Sequence, residues 1–116
     1  YDTCHELMLQ AGRKLNDGMS FDKYFPVYQK LGAKKFTAVG NTQQAKWLTG
    51  AYKKITGSYP EVIKGMTLKT LLSKPEYQRG VFAVEVNHHI MAIRNGLIHD
   101  TGMNLANKRV VSIIEF

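Results

Sequence analysis

Residues 80–100, "GVFAVEVNHHIMAIRNGLIHD", decide the fold. GVFAVEV and HHIMAIR are short runs rich in β-branched residues and alternation, and both read as strands. Asn95-Gly96 follows them, the strongest short hairpin signal, because a type I′ turn needs positive φ at both central residues. A two-residue turn there sets Arg94 against Leu97, Ile93 against Ile98, Ala92 against His99 and Met91 against Asp100. Strand alternation puts His89, Met91 and Ile93 on one face and His88, Ile90 and Ala92 on the other. Cross-strand partners share a face, so Asp100 belongs with Met91 and hence with His89. Diagonal neighbours lie about 7–8 Å apart, which lets the Asp100 carboxylate reach His89 Nδ1.

The stretches before this hairpin read as helices. "CHELMLQAGRKL" (4–15) carries Leu7, Met8, Ala11 and Leu15 on one stripe, with Asp2 or Thr3 as cap and Asn16-Asp17-Gly18 as stop. A poorer helix runs near "SFDKYFPVYQKLG" (20–32), where Pro26 argues against one unbroken element. "NTQQAKWLTGAYKKITG" (41–57) is the best of the middle section, capped by Asn41 or Thr42 and stopped by Gly57. "TLKTLLSK" (67–74) is a short one, capped by Thr67 and ended by Pro75. "RVVSIIEF" (109–116) returns to the strand texture. Helices first and a sheet afterwards give an α+β fold in one domain, 1–116, with N-terminal helices packed on a C-terminal antiparallel sheet.

The composition narrows the function. Of 116 residues, 44% are hydrophobic and 22% charged, ordinary values for a folded domain. No apolar run approaches the roughly 20 residues of a membrane span, so no membrane partner is expected. The net charge is +7, which draws the chain toward acidic partners. The basic residues come in scattered pairs (Arg13-Lys14, Lys34-Lys35, Lys53-Lys54, Lys108-Arg109), and no nucleic-acid-binding signature accompanies them. Nucleic acid is therefore not the expected partner. A small basic nucleic-acid binder is the weakest of three functional readings.

With one cysteine in the chain there is no internal disulfide and no CxxC zinc knuckle. Cys4 falls in the first turn of the first helix, where the macrodipole and unpaired N–H groups favour thiolate. A nucleophilic cysteine needs a base, and the base needs a third group to fix its tautomer. His89 and Asp100, on one face of the hairpin, fit those two roles. Singly, a cysteine or histidine of this kind is more often a packing residue. Their joint placement favours a site. A zinc site from His88, His89, His99 and Asp100 is opposed by parity, since adjacent strand residues point to opposite faces. No cofactor or metal is expected.

The helix-start Cys4, the strand GVFAVEV and the segment "HHIMAIRNGLIHDTG" (88–102) together resemble papain-like cysteine peptidases in their minimal form. The segment from "TLKTLL" through "KRVVSIIEF" is similar to small papain-like proteins, many encoded by bacteriophages. The resemblance covers the first turn and roughly the last 50 residues. It implies Cys4 as nucleophile, His89 as general base and Asp100 as orienting carboxylate, in a hydrolase acting on a protein or peptide through a thioester. It also implies a place in the cytoplasm of a host cell or in the virion. Relatives carry Gly before the histidine where this chain has His88, and an aromatic after Asp-Thr where it has Gly102. They take an oxyanion donor from a Gln or Asn upstream of the cysteine, whereas only Tyr1, Asp2 and Thr3 precede Cys4 here. Either this sequence begins within a longer natural chain, or the donor is the Tyr1 hydroxyl, Gln43, Gln44 or Asn87, beside the Cys4 backbone N–H. The second reading is a catalytically idle domain of the same fold that binds a host or virion protein.

Overall fold

The computed structural model describes residues 21–30, 32–86, 89–99 and 108–116, with the backbone alone at Tyr24, Val27, His89 and His99. Helix α1 (Phe21–Lys30) leads into strand β1 (Lys35–Val39), helix α2 (Gln43–Thr56) and strand β2 (Glu61–Ile63). Helix α3 (Leu68–Ser73) and a 3-10 turn (Pro75–Tyr77) follow. Strands β3 (Val81–Val86), β4 (His89–Arg94), β5 (Leu97–His99) and β6 (Val110–Glu115) complete the described chain. The strands form one sheet in the order β2-β1-β6-β3-β4-β5. No helix among the described residues is long and apolar enough to cross a membrane.

The hairpin is as its sequence dictates. Asn95 has φ 51° and Gly96 φ 80°, and the register pairs Arg94 with Leu97, Ile93 with Ile98 and Ala92 with His99. The Asn95 N–H donates to the Gly80 carbonyl at 2.9 Å and its Oδ1 accepts from the Gly80 N–H at 3.1 Å, locking the turn to the start of β3. The helix ends follow the same local chemistry. Thr42 Oγ1 accepts from the Ala45 N–H at 3.2 Å, and Gly57 closes α2 in the left-handed region. Thr67 caps α3, and Lys74 is extended ahead of Pro75, as a residue before proline must be.

Two expectations change. Pro26 does not break α1, which runs from Phe21 to Lys30 around it. A mid-helix proline costs about 3 kcal/mol, but this helix buries Phe21, Phe25 and Tyr28, and each such side chain contributes roughly 1.5–3 kcal/mol. Phe21 stacks on Phe25 with centroids 4.9 Å apart, and both meet Phe36 of β1 edge-on. Second, the sheet is neither confined to the second half of the chain nor wholly antiparallel. β1 and β2 lie among the helices and pair in parallel, Thr37 with Glu61 and Val39 with Ile63. β1 shows no alternation because four of its five residues are buried, and β2 is only three residues long. The helices lie on both sides of the sheet.

Two apolar clusters flank the sheet. Phe21, Phe25 and Tyr28 of α1 and Leu48 of α2 pack on Phe36, Ala83, Ala92 and Ile114. Leu68 and Leu71 of α3 pack on the opposite face against Val84, Met91, Ile93 and Ile113. Met91 and Ile93 therefore face α3, while Ile90 and Ala92 face α1 and α2, as hairpin parity requires. β3 and β6 lie at the centre, and β6 carries a bulge: Glu85 pairs with Ser112 but Val86 with Val110.

Two glycines separate backbone need from mere tolerance. A Cβ on Gly50, inside α2, would meet nothing within 4 Å, so Gly50→Ala is expected to raise stability by about 0.5–1 kcal/mol. Gly96 has φ +80°, and its Cβ would lie 2.5 Å from Gln78 Oε1. That amide is anchored on the Leu72 and Lys74 carbonyls. Gly96→Ala is expected to lower stability by roughly 1–2 kcal/mol. Thermal unfolding of the two variants should move in opposite directions.

Candidate functional site

Strand direction collects the chemistry at one end of the sheet. β1, β2 and β3 finish there, at Val39, Ile63 and Val86, and β4 and β6 begin there. Val86 is opposite His89 on one side and Val110 on the other. The loop Gly40–Thr42, the segment Lys64-Gly65, the start of β4 and Lys108-Arg109 are thus neighbours at that end. β5 runs toward the same end and stops at His99, opposite Ala92.

His89 is the first residue of β4, and its register position has the parity of Met91 and Ile93. Asp100 follows β5 directly but lies outside the described residues, as do Cys4, Tyr1, Asn87 and His88. Gln43 and Gln44 open α2. Gln43 is exposed and Gln44 half-buried. Gln44 Nε2 donates to Glu85 Oε2 at 2.7 Å. Glu85 lies in register with Ile90, on the α2 side of the sheet, whereas position 89 has the parity of the α3 side. The fold therefore sets the two strands of the expected His–Asp pair side by side, and engages Gln44 across the sheet from the face to which position 89 belongs.

Glu85 is the residue that the strand pattern did not single out. It is only 2% exposed, in the middle of β3, beside the equally buried Ser112. A carboxylate removed from water must be paired or hydrogen-bonded, at a cost of several kcal/mol otherwise. The amide of Gln44 supplies one short hydrogen bond, at 2.7 Å. A Glu inside VFAVEV looks like the solvent side of an amphipathic strand, but helices cover both faces here. The one available signal was a charge in the strand flanked by Val84 and Val86, both of which are buried.

Among the described residues no three His, Cys, Asp or Glu side chains converge as a metal site. No family model, no curated protein and no solved structure matches the chain.

The buried pair sets two expectations. Gln44→Ala removes one partner of a buried carboxylate and should lower stability by about 1.5–3 kcal/mol, measured by denaturant unfolding. Burial, reinforced by the nearby Glu85 charge, also pushes the Tyr28 phenol well above its ordinary value of 10.0. Above about pH 10 the unfolded chain then releases a proton that the folded chain keeps, so stability falls as pH rises through that range. The slope from this group approaches about 1.4 kcal/mol per pH unit, and Tyr28→Phe should remove that share of the alkaline loss.

Proposed function

We propose that the protein is a cysteine-dependent hydrolase of papain-like type, acting on an amide, isopeptide or ester bond of a protein or peptide. The observation that carries this reading is the hairpin register, with Ala92 opposite His99 at the Asn95-Gly96 turn. That register supports the expected pairing of His89 with Asp100, the residue after β5 in sequence. The resemblance of the Cys4, His89 and Asp100 segments to papain-like peptidases supplies the remaining support.

In this mechanism Cys4 thiolate attacks the carbonyl carbon and the carbonyl π pair moves to oxygen as an oxyanion. The Cys4 backbone N–H donates to that oxygen. His89, as imidazolium, protonates the leaving amine or alcohol as the tetrahedral species collapses to a thioester. It then takes a proton from water, which attacks the thioester and releases Cys4. Asp100 holds the His89 tautomer throughout. The lone thiol must stay reduced, a condition met in a cytoplasm. A catalytically idle binding domain of the same fold is the second reading, favoured by one observation: the amide of Gln44, an oxyanion candidate, is committed to Glu85.

Alkylation kinetics separate the two. A thiol at a helix start paired with a histidine has a pKa well under the ~8.5 of a free thiol, so iodoacetamide should label Cys4 rapidly near pH 6. His89→Ala should bring labelling down to the rate of a model thiol, and His88→Ala should leave it fast. Asp100→Asn should keep the melting temperature and cut hydrolysis by orders of magnitude. Labelling no faster than a model thiol in the unmodified chain removes the hydrolase reading.

A further inference from the structure

The end of the sheet that carries position 89 also carries a cationic crevice. It measures about 650 Å³ and lies between the ends of β1 and β2 and the start of β6. Its floor is apolar, from Val39, Ile63 and Val110, and its two charged walls are Lys64 and Arg109. Among the described residues no Asp or Glu lines it. Glu61, the nearest acidic residue in sequence to Lys64, is engaged instead by Lys35 at 2.9 Å. Among the described residues no carboxylate stands within ion-pair distance of Lys64 or Arg109.

Two glycines shape the space. A Cβ on Gly40 would lie 3.3 Å from the Gly65 Cα, and a Cβ on Gly65 would lie 3.3 Å from Arg109 Nη1. Side chains at either position would crowd the walls against each other. Their absence lets the Arg109 guanidinium lie over bare backbone. A smaller hollow adjoins it, shared by Arg109, Lys108 and Gln44. Two cations over an apolar floor, with no described carboxylate in the lining, give a positive potential in a concave site.

We propose that this crevice binds the carboxylate of an acidic peptide segment, the Arg109 fork engaging both carboxylate oxygens and Lys64 the charge. A peptide fits better than a nucleic acid, because the basic groups converge on one hollow with an apolar floor and do not form a stripe along the surface. The assignment rests on the hydrolase reading in one respect: the bound peptide is then the substrate. Arg109 precedes β6, and β4 lies two strands away across β3. At about 4.8 Å per strand that is roughly 10 Å, the span of about three extended residues. The substrate would carry its acidic residue some three positions from the bond that is cut.

The test uses the full chain as Cys4→Ala, so that binding is read without turnover. Acetyl-triglutamate amide is titrated at ~50 mM salt, with acetyl-triglutamine amide and an oligothymidylate of equal charge as comparison arms. The amide resonances of Gly40, Asn41 and Gly65 should shift with the glutamate peptide and not with the glutamine one. Arg109→Gln and Lys64→Gln should each weaken binding, together about tenfold or more, while Lys54→Gln on the far end of α2 leaves it unchanged. The same spectra show whether each variant is folded, and Lys64→Gln, at an exposed side chain, serves alone if Arg109→Gln is not. Shifts spread over all lysine-bearing surfaces, or no loss in either variant, overturn the site. Tighter binding of the oligothymidylate at these amides overturns the peptide assignment. Cys4 alkylation in the unmodified chain is scored separately. Slow labelling with intact peptide binding removes the hydrolase and keeps the crevice, and fast labelling without binding does the reverse.

Discussion

β6 is hydrogen-bonded along both edges, to β1 through Phe36, Thr37 and Ala38 and to β3 through Phe82 to Val86. The last of the described strands in sequence order is therefore a central strand of the sheet. Its inward residues split between the two clusters, Ile114 toward α1 and α2 and Ile113 toward α3. Both apolar layers consequently depend on one strand being in place, and on contacts between residues far apart in sequence. Such pairings are formed against a larger loop-closure entropy than hairpin contacts, which places the hairpin β4–β5 as the local element and β6 as the one that joins the two halves.

Burying β3 and β4 on both faces creates the problem that Glu85 presents. A strand with one wet face can carry a glutamate without cost, but a central strand between two helical layers cannot. Gln44 resolves part of it from the first turn of α2, which ties that helix to the sheet by a polar contact as well as by Leu48 and Ala45. The bulge between Glu85 and Val86 falls at the same point. It shifts β6 by one residue, so that Val111 joins the α1–α2 cluster while Val110 stays in the other. The polar contact, the bulge and the start of β4 thus meet within a few residues of position 89.

What could be read from the sequence was whatever local chemistry controls. The Asn95-Gly96 turn, the Thr42 and Thr67 caps and the Gly57 stop depend on a handful of adjacent residues, and all have the expected form. The hairpin register followed from the turn alone. β1 and β2 were not legible, because a five-residue buried strand has no alternation and a three-residue strand gains its pairing from a partner far away in sequence. α1 passes through Pro26 for a tertiary reason, its three buried aromatic side chains, that no propensity contains. Of the site, the strands bearing His89 and leading to Asp100 were legible through parity. Glu85 was not, since alternation assigns a strand glutamate to solvent. The other residues expected of that site, Cys4 and Asp100, lie outside the described residues.

The two ends of the sheet are built differently, and the difference bears on where chemistry can sit. At one end the Lys34 N–H bonds to Glu115, the Phe116 N–H to Val81 and the Asn95 N–H to Gly80, each within 3.0 Å. Gln78 adds a brace from the 3-10 turn to α3. These bonds link the connection between α1 and β1 with β6, β3 and the hairpin turn. At the other end the connections carry Gly40, Lys64, Gly65, Lys108 and Arg109, and position 89 begins its strand. Loops held on a rigid sheet are where binding groups can be presented without disturbing the core. The end that carries position 89 is the one toward which β1, β2 and β3 run and from which β4 and β6 start. Position 89 and the crevice between Lys64 and Arg109 both fall on it.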